Sequence, residues 1–134
     1  MDWAEDTWTV QAGDAAAAYA GRAWNMDTRR WETISGVFCT RSLMTGFRLR
    51  TAEVRCTNAG GVNKRGVICH LYVIGDPQAT NRLIELPHAE LLQRGDTWSH
   101  WAGDYPILAG FQFHYSLGGV IATDIIHAQI GYSR

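Results

Sequence analysis

The residues with the most to offer chemically are Trp98, His100, Trp101 and Asp104, four side chains within the stretch Trp-Ser-His-Trp-Ala-Gly-Asp. A sugar ring has an apolar C–H face and a rim of hydroxyls, so a site for one wants a flat aromatic ring beside carboxylate, amide or imidazole groups. This quartet supplies that mixture. The turn signal at Gly103-Asp104 places it on a loop. A second polar set follows. Gln112 and His114 alternate with Phe111, Phe113 and Tyr115, and His127 and Gln129 alternate with apolar residues further on, so each pair belongs to the polar face of a strand. If the two strands share a side, these four residues form a second ligand-binding surface.

The same rings have a structural use. A large aromatic buries roughly 150 to 250 Å² and can close the end of a small core or a subunit contact. The sequence holds six tryptophans, and Trp3, Trp8, Trp98 and Trp101 stand beside Asp, Thr, Ser or His.

Signals for catalysis are sparse. His70, His114 and His127, with Asp124, have the chemistry of a metal or acid/base centre, but none has the H-x-H or H-x-x-x-H spacing that sets two ligands side by side on one element. Glu90, Asp96 and Asp104 offer carboxylates for glycoside hydrolysis, where their separation decides the mechanism, and spacing in the chain does not fix it. Ser35 and Ser99-His100 lack a nucleophile-elbow context, and Gly60-Gly61 is not followed by a phosphate-cradling helix start. The sequence therefore assigns no catalytic residue, no metal and no cofactor.

Positioning these side chains requires strands. From Gly46 the period is two, with Phe47, Leu49 and Thr51 alternating with Arg48 and Arg50. Val67 to Ile74 is the strongest strand of the first half, apolar enough on both sides to be covered on both, and Gly75-Asp76-Pro77 stops it. Arg82 to Leu86 also alternates, and strands are expected near 107–116 and 124–132 with a turn at Gly118-Gly119. Earlier, Thr9-Val10-Gln11 reads as a short edge strand and Thr33 to Thr40 as β-rich, with turn residues from Asn58 to Lys64. Two short helices are expected: Ala15 to Ala20, capped by Asp14 and ended by Gly21, and one from Pro87 through Leu92, ended by Gly95.

Two fragments recur. Leu43-x-x-Gly46-Phe47-x-Leu49 resembles Ile107-x-x-Gly110-Phe111-x-Phe113, and His70 to Gly75 resembles His127 to Gly131. A third echo, Asp6-Thr7-Trp8 against Asp96-Thr97-Trp98, has a different offset and argues against a simple tandem duplication. Alternation imposed by the pleat also makes sandwich strands look alike.

Short strands, frequent glycines and the lack of long amphipathic helices define the expected fold: all-β, an antiparallel β-sandwich or jelly roll with one or two short helices, as a single domain over 1–134. The apolar share is 46% and the charged share 19%, which fits a folded core and excludes the disordered class. A formal net charge of −1 gives no electrostatic case for nucleic acid. Arg29, Arg30, Arg41, Arg48, Arg50 and Arg55 are interspersed with acids and read as a solvated face. No apolar run approaches a membrane span, and Met1 to Asp6 lacks the features of a cleaved secretory signal. The expectation is a soluble protein, cytoplasmic or released without a cleaved signal, with a virion also open. Cys39, Cys56 and Cys69 are odd in number and widely spaced, as reduced thiols are.

The leading expectation is a non-enzymatic, carbohydrate-binding (lectin-like) module or binder of another small polar ligand. Weak sites of that kind gain affinity by repetition, which favours a homo-oligomer. The alternative is a structural β-sandwich subunit of a virus or phage particle or other assembly, and a small hydrolase comes third.

Overall fold

A computed structural model describes residues 1–16, 20–25, 29–33, 47–58, 66–75, 82–95, 97–107 and 111–133. Ten strands and one short helix follow in order: β1 (Asp2–Thr9), α1 (Ala12–Ala16), β2 (Ala20–Asn25), β3 (Arg30–Thr33), β4 (Phe47–Thr57), β5 (Gly66–Gly75), β6 (Arg82–Glu85), β7 (Leu91–Gln93), β8 (Trp98–Ile107), β9 (Phe111–Gly118) and β10 (Ile125–Ser133). All pairings among the described residues are antiparallel. One sheet has the order β1-β10-β4-β8; the other runs β3-β2-β9-β5-β6, with β7 also pairing β5. The chain crosses repeatedly between them, so that β4, β8 and β10 join the first sheet while β5 and β9 join the second. This is the interleaved arrangement of a jelly roll, and the expected all-β sandwich is what the chain forms.

Alternation explains why the sheets face each other. Leu49, Ala52, Val54 and Cys56 of β4 and Ile126, Ala128 and Ile130 of β10 point inward from the first sheet. Val67, Cys69, Leu71 and Val73 of β5 meet them from the second, with Phe113, Tyr115 and Leu117 of β9. These residues are essentially sealed from water, and each large apolar side chain so buried contributes about 1.5 to 3 kcal/mol. The same burial pushes the Cys56 and Cys69 thiols up to about 12, which keeps them protonated and unreactive at neutral pH.

Two polar networks cross the sandwich. In one, the Trp8 indole N–H donates to the Tyr115 hydroxyl at 2.7 Å, and that hydroxyl donates to Asp6 at 3.0 Å. Arg22 donates to the other Asp6 oxygen at 3.0 Å while lying 4.7 Å above the Trp8 ring. In the other, Asp124 accepts two bonds from Arg94, at 2.8 and 2.9 Å, one from Asn58 at 2.9 Å and one from the Ile121 N–H at 2.9 Å. Burial pushes the Asp124 carboxyl up, but these donors outweigh it and hold it below the usual carboxylate range.

Several local expectations are corrected. The first helix is Ala12–Ala16, and Ala20 and Gly21 already belong to β2, because the β2–β9 ladder satisfies their backbone where an isolated short helix would not. Pro87 starts no helix: the segment it opens pairs as β7 against β5. The short edge strand expected at Thr9-Val10-Gln11 lies earlier: β1 runs over Asp2–Thr9 and ends before Val10. Ile68, on the side of β5 expected to be covered, is 44% exposed. The β-rich reading of Thr33 to Thr40 beyond Thr33, the turn residues from Ala59 to Lys64, the Asp76-Pro77 stop and Cys39 fall outside the described residues.

Candidate functional site

The outer face of the first sheet gathers half of the expected ligand-binding residues. Strand registry sets them in rows across β1, β10, β4 and β8. One row reads Thr7, His127, Arg55 and Trp98; the next reads Glu5, Gln129, Glu53 and His100. Trp98 is 37% exposed, with the Arg55 guanidinium 4.6 Å over its ring. His100 Nδ1 lies 3.5 Å from Glu53 Oε1, and His127 Nε2 lies 3.3 Å from Thr57 Oγ1. Burial, and secondarily the charge of Arg55, hold the His127 imidazole below its ordinary pKa, so it is a neutral hydrogen-bonding group at neutral pH. Trp98, His127 and Gln129 share a pocket of about 160 Å³ with Glu5, Asp6, Thr7 and Ala128. That is below the roughly 300 to 1,000 Å³ of pockets that enclose a drug-sized ligand.

The other expected residues do not join these rows. The stretch from Trp98 to Asp104 is not a loop but the body of β8, and the pleat divides the quartet: Trp98 and His100 face out, while Trp101 packs on the core. Gly103 leaves room for the Trp101 ring, since a methyl group there would stand 2.8 Å from its Cζ2. Asp104 is taken up by two arginines, Arg48 at 2.7 and 3.0 Å and Arg50 at 3.2 Å, and Arg48 holds its carboxyl below the usual range. The expected sharing of one surface by both polar pairs is also corrected. His127 and Gln129 lie in the first sheet, whereas β9 carries Gln112 and His114 into the second, where they stand opposite Ile74 and Tyr72. His114 is buried beside the Tyr72 ring at 5.8 Å, and burial lowers its pKa to about 3.

The histidine–aspartate centre is not assembled. Asp124 is bound to Arg94, and His70, His114 and His127 are divided between the sheets. Glu90 and Asp104 likewise lie near different sheets, and Asp96 falls outside the described residues. What sequence reasoning missed is a cluster of His70, Glu85 and Glu90 on the outer face of the second sheet, whose nitrogen and carboxylate atoms lie within 4.8 Å of one another. No spacing rule finds it, because β5, β6 and the segment before β7 meet only through pairing. The other signal is apolar: Ile68 and Leu91 stand directly opposite each other on β5 and β7, 44% and 62% exposed.

Fold and surface thus define a jelly roll with an aromatic and polar outer face on one sheet and a mixed apolar and ionisable face on the other. No family model matches the sequence, and no curated protein matches it. Two solved structures do. One is the top component of cowpea mosaic virus, naturally occurring empty particles, at 9% identity over 99% of this chain and 86% of that one, with a TM-score of 0.44. The other is infectious bursal disease virus, Gx strain, at 10% identity over 97% of this chain and 38% of that one, with a TM-score of 0.33. Both likenesses are too distant to bear on what the chain does.

Proposed function

We propose that this chain is a non-catalytic building block that associates with copies of itself into a closed assembly. The carrying observation is that large apolar side chains stand exposed on the outer faces of both sheets: Ile68 and Leu91 on the second, Trp3 (53% exposed) and Trp98 on the first. Single exposed apolar residues are ordinary, but a directly paired isoleucine and leucine set two apolar side chains next to each other on a surface that water solvates poorly. Patches on opposite faces do not match each other by a twofold axis. They match when one face of a copy meets the other face of the next, and such head-to-tail contact forms a ring or shell where the rotation between copies closes and an open filament where it does not. A virus or phage particle is one assembly of that kind.

The test places a charge in each patch. Leu91→Lys and Trp3→Lys are expected each to reduce the wild-type assembly to smaller species with the fold kept by circular dichroism. Assemblies of unchanged mass in both variants would refute the reading. A second reading, binding of a small polar ligand such as a sugar, is favoured by the convergence of Trp98, His127 and Gln129 on one pocket. Calorimetry or a glycan array with Trp98→Ala tests it: loss of binding supports the pocket, and binding unchanged by the substitution removes it.

A further inference from the structure

We propose that His70, Glu85 and Glu90 form a binding site for a divalent cation of the zinc class on the outer face of the second sheet. Three observations carry it. First, one imidazole and two carboxylates bring their ligand atoms within 4.8 Å of one another. Ligands held by one Zn²⁺ at about 2.0 to 2.2 Å stand about 3.3 Å apart in a tetrahedron, so closing the site takes only side-chain adjustment.

Second, each ligand is anchored through its backbone rather than hung on a loose tip. His70 lies in the central strand β5. Glu85 is held in β6 opposite Tyr72. The Glu90 carbonyl accepts the Cys69 N–H at 2.5 Å, and the Leu86 N–H donates to Leu71 at 2.8 Å, so the segment between β6 and β7 is fastened across β5 at both ends.

Third, the imidazole is oriented before any ion arrives. Its ring stacks on Tyr72, with centroids 5.7 Å apart and planes 10° from parallel, and its Nδ1 lies 2.9 Å from Glu85 Oε1. A cation would take the place of the proton between those two atoms, with Glu90 as the third ligand and water completing the shell. One nitrogen with two oxygens suits Zn²⁺ or Co²⁺ better than Mg²⁺, which prefers an all-oxygen octahedron.

The test is titration with Zn²⁺ against a chromophoric chelator, together with the absorption spectrum of the Co²⁺ form. Wild type is expected to bind one Zn²⁺ per chain, undisturbed by excess Mg²⁺, and to show no thiolate-to-cobalt charge transfer. Glu90→Gln, an exposed position whose substitution leaves the fold intact, and His70→Ala are each expected to weaken binding at least tenfold. Binding that survives both substitutions, a thiolate band that assigns the ion to cysteine, or no competition with the chelator would each overturn the proposal. Binding is read per chain, whatever the mass of the assembly.

Discussion

At the scale of single residues, the polar groups of this protein divide into those that hold the sandwich and those left at its surface. Asp6 and Asp124 bind arginines inside the structure. Burial raises the Asp6 carboxyl above its ordinary pKa against the pull of Arg22, whereas the donors around Asp124 prevail over burial. His114 is the clearest titrating liability. Its folded pKa of about 3 lies below the 6.5 of a free imidazole, so the folded state prefers the neutral ring. That preference contributes in full above pH 6.5 and is lost as pH falls towards 3, because the unfolded chain takes up a proton that the folded chain refuses. Between pH 7 and pH 5 this one group removes about 2 kcal/mol of stability. Asp6 acts in the opposite sense, its raised pKa favouring the folded state at low pH. Denaturant unfolding at the two pH values tests the histidine: His114→Leu is expected to lose about 2 kcal/mol less than wild type over that interval. An equal loss in both proteins would show that His114 is not buried as neutral imidazole.

At the scale of elements, close approach between β2 and β9 depends on Gly21. A methyl group there would stand 2.2 Å from the Tyr115 carbonyl oxygen and 3.2 Å from the His114 ring. Gly21→Ala is therefore expected to cost 1 to 3 kcal/mol or more, measured by thermal or denaturant unfolding, and a neutral substitution would mean the two strands are spaced more widely. Gly21 stood in the sequence as a helix terminator, one of the places where local reading and structure part. Strands β4, β5 and β10 were legible because period-two alternation is written directly into Phe47 to Thr51, Val67 to Ile74 and Ile125 to Ile130. Strand β8 was not, since Gly103-Asp104 carries a turn signature that the ladder with β4 overrides. Alternation also says which side chains face the core without saying in which sheet, and for that reason His114 and His127 were given one surface. The internal echo has a partial physical basis. The echoed strands cross-pair, β4 with β10 and β9 with β5, yet Gly75 stands opposite Phe111 while Gly131 stands opposite Thr51 rather than Phe47. The shared pattern therefore reflects two similar strand pairs in different register.

At the scale of the whole molecule, the fold leaves its two outer faces with different chemistry. The first sheet presents Trp98 under Arg55, with Trp3 lying across Gly131, whose missing side chain makes room for the ring. The second presents Ile68 and Leu91 beside the His70, Glu85 and Glu90 cluster. Each large apolar side chain covered by a neighbour would contribute about 1.5 to 3 kcal/mol before the costs of association, so a contact needs several of them at once, and both faces supply more than one. The most direct measurement is the mass of the purified wild-type chain by multi-angle light scattering across a dilution series. A closed assembly gives a mass many times that of one chain, constant over a wide range of concentration. A single-chain mass at every concentration would contradict it.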